Sequence, residues 1–340
     1  VRPIVIAAGG TGGHFFPAEA LAACLLQRGE RVVLMTDARS SAAKSPVFSG
    51  CETHVLTGAG LAGRSIWRAA KGAALIARGV LAARRIMADM EPSVVVGFGG
   101  YPAVAPVLAA RSLRQRPILI LHDQNAALGK ANKFLAKFCD RMALSFAATS
   151  GVPARRDCVL TGNPVRAAIT ALAGAPYVPP GEKINLLVLG GSLGARAFAT
   201  LIPSALGHLP PALLGRISLT MQCPAASIET ARAALLACGV TAVLEPFFAD
   251  VAVGRPAVLI PLRINADQPA NADTLAATGG AVRVEQSEGA EALAKVLESL
   301  LNDPARLAEM ASAARRMGII DAAARLADLV QNSIVAETVA

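Results

Sequence analysis

The sequence predicts an α/β protein in which parallel strands alternate with covering helices, and the same building unit opens each half of the chain. Three observations carry that reading. Short β-branched runs without polar alternation recur along the chain, as strands buried on both faces require. Glycine clusters follow several of these runs and feed helices. Gly162-Asn163-Pro164 then breaks regular structure, and a Pro/Gly-rich stretch follows from Gly174 to Gly181. A chain of 340 residues is too long for one ordinary domain and suits two, set at residues 1–162 and 163–340.

Ile4, Val5 and Ile6 form the first strand. Gly9, Gly10, Gly12 and Gly13 crowd around Thr11, where the backbone turns freely and leaves its N–H groups uncovered. A helix follows, with Pro17 in its first turn, Glu19 near its positive end and an apolar face from Ala18 to Leu26. Such a loop favours an anion such as a phosphate. The run matches neither the G-x-x-x-x-G-K-[ST] P-loop nor a clean G-x-G-x-x-G fingerprint, and a plain βα turn is the competing reading. His14 follows the turn and is open to a structural or a catalytic role.

Arg31 to Thr36 is the second strand and His54 to Leu56 a short third, before the turn at Thr57 to Gly60. The helical segment after it carries Arg64, Arg68, Lys71, Arg78, Arg84 and Arg85 among Ile66, Trp67, Leu75, Ile76, Val80 and Leu81. Its middle and end suit a helix packed on the sheet with solvated basic residues. Its start, where Trp67 lies among basic residues, suits contact with an anionic bilayer. Ser93 to Val96 is another strand, and Gly97, Gly99 and Gly100 open a helix near Pro102. Two such glycine loops from one parallel sheet lie side by side at the C-terminal strand ends. Ile118 to Leu121 ends in His122-Asp123-Gln124-Asn125, a polar cluster where ligands of such sheets bind. A second basic amphipathic helix follows from Lys130 to Arg141.

The second half begins with the strand Asn185 to Leu189 and the turn Gly190-Gly191-Ser192-Leu193-Gly194. Ser192 and the amides there suit a diphosphate, and a tight βα turn is again the alternative. Strands at Ser218–Gln222, Thr241–Leu244 and Ala257–Pro261, with helices at Ser227–Cys238, Ala290–Leu301 and Pro304–Val335, complete the half. The long last helix is a candidate to cross back to the first domain.

Composition narrows the function. Hydrophobic residues are 54% and aromatics only 4%, so Ala, Leu and Val fill the core, and 17% charged residues exclude general disorder. The net charge of +9 fits a polyanion or a membrane surface. Nucleic acid is disfavoured because the aromatics are not interleaved with basic residues. Six cysteines without a C-x-x-C pair read as buried thiols of a reducing compartment, not a disulfide frame or a zinc site. No apolar run reaches ~18 residues, so a cytosolic protein with peripheral membrane contact is expected.

Taken together and in order, GGTGGHFFPAEALA, GFGGYPAVAP, LHDQNAALGKANKFLA, TGNPVR, LLVLGGSLGAR and DQPANADTLAATGGA resemble the MurG family over nearly the whole chain. Its members are UDP-N-acetylglucosamine:undecaprenyl-pyrophosphoryl-muramoyl-pentapeptide N-acetylglucosaminyltransferases of peptidoglycan synthesis. The resemblance implies a GT-B architecture, two Rossmann-like domains with parallel sheets facing across a cleft. It implies lipid I on the first, UDP-N-acetylglucosamine on the second, and a location on the cytoplasmic face of the inner membrane. By motif, Gly9, Gly10, Thr11, Gly12, Gly13, Gly99 and Gly100 grip the acceptor diphosphate. Tyr101, His122, Gln124, Asn125 and Asn132 line the cleft, and His14 is the catalytic candidate. Thr11, Gly12, Gly13 and Asn125 also reach the donor, with Arg166, Gly191 and Ser192 at its diphosphate, Phe248 at the uracil and Gln268 at the sugar. No D-x-D element is found to hold a divalent ion, so no metal or cofactor is expected.

Three departures from the family pattern stand out. Asp123 replaces a glutamate, and the acidic pair before Gln268 is reduced to Asp267. Phe248-Ala249-Asp250-Val251 also runs almost directly into Gly254, where the family has a strand, a Ser/Gly/Ala-rich loop and a helix bearing the ribose-binding glutamate. A doubly wound domain without that unit has a hole in its sheet and an unlined donor pocket. The competing functions are a UDP-sugar epimerase of the same architecture and a non-catalytic membrane-associated scaffold. A nicotinamide-dependent dehydrogenase lacks its fingerprint.

Overall fold

Strand, glycine turn and helix recur because a parallel strand must hand the chain to a crossover before the next strand can join it. The computed structural model describes residues 2–10, 12–38, 45–56, 66–191, 196–246, 254–262 and 267–339. In chain order the elements are β1 (Ile4–Ala7), α1 (Gly12–Gln27), β2 (Val32–Thr36), β3 (Glu52–Val55), α2 (Ile66–Met90), β4 (Val94–Gly97), α3 (Gly100–Arg111), β5 (Ile118–Asp123), α4 (Lys130–Leu135), β6 (Arg141–Leu144), β7 (Asp157–Leu160) and α5 (Ala167–Leu172). Then come β8 (Ile184–Val188), α6 (Phe198–Gly207), α7 (Pro211–Leu214), β9 (Ile217–Gln222), α8 (Ile228–Ala237), β10 (Ala242–Glu245), β11 (Ala257–Leu259), α9 (Asp267–Ala277), β12 (Ala281–Arg283), α10 (Gly289–Leu301), α11 (Pro304–Met317) and α12 (Ala322–Val339). Two compact units result: Val1–Thr170 with Ile319–Ala340, and Ala171–Gly318. The division falls at Thr170, past the Gly162 turn where the sequence placed it.

The first unit holds a seven-stranded parallel sheet in the order β3-β2-β1-β4-β5-β6-β7. The order reverses between β1 and β4, whose strands pair Ile4 with Val94 and Ala7 with Gly97. Both strands are wholly buried, which is why their runs carry no polar alternation. Ile4, Ile6 and Ala8 pack on one face with Leu21 and Leu25 of α1 and Leu326, Ala327 and Val330 of α12. Val5, Ala7, Val33 and Met35 pack on the other with Met87 of α2 and Ala103 and Val107 of α3. The last helix is tied down by Arg28 to Asp328 at 2.6 Å, Gln331 to Glu30 at 2.7 Å and Arg141 to Ser333 at 3.0 Å. Its return explains Gly162, which sits at φ 82°. A Cβ there would stand 2.6 Å from Cβ of Ile319.

In the second unit the described strands form two sheets, β10-β9-β8 and β11-β12, all parallel. One core unites them: Ile184, Leu219, Met221 and Leu244 pack with Ile202, Leu206, Leu235, Leu293 and Leu297, and Val258 lies against the same cluster. Among the described residues the opposite face of β10-β9-β8 is bare. Leu187, Thr220 and Val243 line up across it, with Leu187 44% and Val243 56% exposed. By strand order β8, β9 and β10 repeat β1, β2 and β3. In the first unit β4 pairs with the second side of β1, and α2 and α3 cover that face; among the described residues β8 has neither. The break coincides with the short sequence between Glu245 and Ala257, whose residues 247–253 lie outside the described residues.

Several sequence expectations need correction. α1 starts at Gly12, so Pro17 lies inside it and the glycines themselves form its first turn. Glu19 is buried and accepts a hydrogen bond from the Ser45 hydroxyl instead of facing the helix end. The helix expected to Arg141 stops at Leu135, because the chain must turn into β6. The helix expected over Pro304–Val335 is two, broken where extended backbone at Gly318 carries the chain from one unit to the other. Strands β6, β7 and β12 were not expected; each is short and carries a charged residue at one end.

Candidate active site

The C-terminal ends of β1, β4 and β5 lie in sequence across the first sheet, so the two glycine turns and the polar cluster share one edge. Gly9 follows β1 so closely that a Cβ would stand 2.7 Å from Thr36 Oγ1 and 2.9 Å from Asp37 Oδ1. Gly10, at φ 76°, donates its N–H to that Asp37 carboxylate at 3.2 Å. Gly12 and Gly13 begin α1, and Gly99 and Gly100, at φ 82° and 66°, begin α3 with half-buried Tyr101. Thr11 lies outside the described residues.

His14 joins the two turns. Its Nδ1 lies 2.8 Å from the Phe98 carbonyl, so Nδ1–H donates there and the basic lone pair is on Nε2. The Gln124 side-chain amide closes on the same Nδ1, meeting the N–H through its oxygen when assigned from this network. The ring edge packs on Gly100, where a Cβ would come 3.2 Å from Cδ2 and 3.4 Å from Nε2. A glycine at 100 is therefore what lets the imidazole lie between the loops.

Behind this edge, a buried network holds the β5 end in place. Asp123, 1% exposed, accepts from the N–H groups of Asn125 at 2.9 Å and Gly129 at 3.2 Å and from Asn132 Nδ2 at 3.0 Å. Burial pushes its carboxyl pKa up, against the pull of these donors and of His14. Asn132 also donates to the His122 carbonyl at 2.8 Å. His122 is fully buried, packs against Phe98 with ring centroids 5.1 Å apart and planes tilted by 40°, and donates from Nε2 to the Gly162 carbonyl at 3.1 Å. Its Nδ1 has no partner among the described residues, and burial holds its pKa down to about 4. The sequence put His122 and Asn132 on the cleft lining. At 0% and 2% exposure they offer a ligand no surface and instead support Gln124 and Asn125, which are half-buried at the edge.

Arg166 belongs to the first unit, with its guanidinium 4.6 Å from the centre of the Phe16 ring. In the second unit Gly191, at φ 72°, is exposed after β8. Gln222 ties this turn together: its amide accepts from Gly190 N at 3.1 Å and donates to the carbonyls of Gly191 at 2.9 Å and Pro246 at 3.2 Å. Gln268 is exposed in the first turn of α9 and accepts from Leu262 N at 2.9 Å. Ser192 and Phe248 lie outside the described residues. Asp37 and Gln222 escaped the sequence reading; the signal that could have found them was a polar residue closing an apolar strand. Among the described residues no group of three or more His, Cys, Asp or Glu is placed to hold a metal.

A doubly wound sheet with glycine turns at its switch point, and a second glycine-turn unit after it, is an architecture of the GT-B kind. Residues 4–144 match the glycosyltransferase family 28 N-terminal domain and residues 239–328 its C-terminal domain. The chain is 58% identical to the UDP-N-acetylglucosamine--N-acetylmuramyl-(pentapeptide) pyrophosphoryl-undecaprenol N-acetylglucosamine transferase of Acidiphilium cryptum, over 98% of this chain and 97% of that one. It is 48% identical to the enzyme of that name from Granulibacter bethesdensis, over 98% and 94%. The crystal structure of Acinetobacter baumannii MurG superposes with a TM-score of 0.76 at 26% identity, covering 98% of this chain and all of that one. The chain belongs to this family of N-acetylglucosamine transferases within glycosyltransferase family 28. The calicheamicin glycosyltransferase CalG4 shares the fold alone, at 16% identity and a TM-score of 0.64 over 98% of each chain.

Proposed function

We infer that the chain transfers N-acetylglucosamine from UDP-N-acetylglucosamine to lipid I, giving lipid II, with inversion at the anomeric carbon. The observation that carries the mechanism is His14, held between two glycine turns with its basic lone pair on Nε2. In the inverting step the acceptor hydroxyl oxygen bonds to the anomeric carbon as the bond to UDP breaks. The hydroxyl proton passes to His14, and the diphosphate leaves with the bonding pair. Arg166 and helix N-termini supply the charge that UDP needs on departure. The acceptor diphosphate lies against the glycine turns Gly9 to Gly13 and Gly99 to Gly100, flanked by Tyr101, Gln124 and Asn125. The donor takes Gly191, Ser192, Phe248 and Gln268. This scheme needs no metal, so transfer is expected to survive a chelator.

Membrane contact is assigned to basic amphipathic helices at the cytoplasmic face. Support comes from α4, where exposed Phe134 lies among Lys130, Lys133 and Lys137, the last 5.3 Å from its ring, and from exposed Leu81 on α2. Side chains of Ile66, Trp67, Arg68 and Lys71 lie outside the described residues. Among those described no helix is long and apolar enough to cross a membrane. The decisive experiment is transfer of labelled N-acetylglucosamine to a lipid I analogue, with His14→Ala and His14→Gln beside the wild type. Losses of about 100-fold or more are expected for both, in line with a missing proton acceptor. Full turnover in His14→Ala would remove His14 from its role.

A further inference from the structure

Phe16 is one turn along α1 from Gly12 and stands between the first glycine turn and Arg166. Its ring is half-buried, meets Phe15 edge-on with centroids 6.3 Å apart, and carries the Arg166 guanidinium carbon 4.6 Å from its own centroid. The ring lies close over the turn: a Cβ at Gly12 would come 2.6 Å from Phe16 Cε2 and 3.1 Å from Cδ2. Arg166 itself follows the Gly162 break, and no described secondary-structure element contains it, since α5 starts at Ala167. Its backbone is thus at the end of a loop, while its head group rests on a ring held by a helix.

Guanidinium stacking has a directional consequence. The attraction acts through the flat face of the cation, whereas its hydrogen bonds to a phosphate lie in its own plane. An aromatic face at this distance therefore restricts where the fork can lie without offering its N–H groups a competing acceptor. A leucine of similar bulk fills space and fixes nothing. Long arginine side chains lose much rotamer freedom on binding, and a stacked one has already lost it.

We propose that Phe16 is a positioning residue for Arg166, holding the guanidinium over its ring, ready for the donor diphosphate. The inference rests on the reading that Arg166 meets that diphosphate. It gives the first glycine turn a second role, because glycine at position 12 makes room for the ring that orients a donor-side cation.

The test measures UDP affinity by calorimetry, and transfer rate, for Phe16→Leu, Phe16→Tyr, Arg166→Gln and the double variant Phe16→Leu/Arg166→Gln. Phe16→Leu is expected to weaken UDP binding about threefold to tenfold, the range of a partly desolvated cation–π contact. Phe16→Tyr keeps the ring face and should bind UDP within about twofold of the wild type. In the Arg166→Gln background, Phe16→Leu should cost nothing further, which a merely structural ring would not produce. If the two losses multiply independently, or if Phe16→Tyr fails as Phe16→Leu does, Phe16 has no positioning role. If Arg166→Gln binds UDP and transfers sugar like the wild type, the diphosphate reading itself falls, and the inference with it. Thermal melting of each variant identifies any loss that comes from misfolding.

Discussion

His122 makes the first unit acid-labile within a defined window. Its imidazole is fully buried, with Nε2 donating to the Gly162 carbonyl at 3.1 Å and Nδ1 facing no acceptor among the described residues. Charging it would bury a cation and add an N–H without a partner, so burial holds its pKa down, from 6.5 to about 4. The folded state binds fewer protons than the unfolded chain between these values, so stability is greatest above pH 6.5 and falls as the pH drops towards 4. At roughly 1.4 kcal/mol per pH unit, the loss attributable to this one ring is about 3 kcal/mol. Other groups also titrate in that range, and His122→Gln isolates the imidazole, since its amide keeps a donor for Gly162. Urea denaturation at steps between pH 7 and 4 provides the measurement. Far-UV circular dichroism follows the transition. The wild type should lose about 3 kcal/mol more than His122→Gln across the window. Equal pH dependence in both proteins would refute the argument that a buried neutral histidine governs this response.

Asp123→Asn removes one acceptor oxygen from a site that receives two backbone N–H groups and Asn132. It should cost about 1–3 kcal/mol in thermal denaturation and slow transfer by disordering the Asn125 loop. Leu187→Thr should change stability by less than about 0.5 kcal/mol, whereas Leu34→Ala, at a fully buried position of β2, should cost about 2–5 kcal/mol. Similar losses in the two would mean that the bare face of the second sheet is in fact covered. Phe134→Ser with Lys133→Glu should weaken sedimentation with anionic vesicles, and added salt should weaken wild-type binding in the same direction. Unchanged, salt-independent binding would move the membrane contact away from α4.

The legible part of the site was the part made by local chain geometry. Gly9 to Gly13 and Gly97 to Gly100 announce themselves because a turn at positive φ, or a close backbone approach, admits little else. The polar run His122 to Asn125 was visible because it interrupts an apolar strand. Its division of labour was not: whether a side chain at a strand end points outward or into the core depends on the register and on what packs behind it. His122 and Asn132 point inward; Gln124 reaches His14. The Phe16 stack on Arg166 spans residues far apart in the chain, and no spacing rule relates them. Asp37 and Gln222 looked like ordinary strand endings, although each organises the turn of a neighbouring strand.

From its own letters, the sequence determined which segments extend, where the chain turns and which halves repeat, because side-chain branching, proline and glycine act on neighbouring dihedrals. Set against the family pattern it resembles, it also pointed to a missing strand, loop and helix between Asp250 and Gly254. Tertiary structure alone decided that α12 belongs to the first unit, that Arg166 rests beside the first glycine turn, and that one face of β10-β9-β8 stands bare among the described residues. Those are matters of which surfaces meet, and surfaces distant in sequence meet only when the burial of one completes the burial of another.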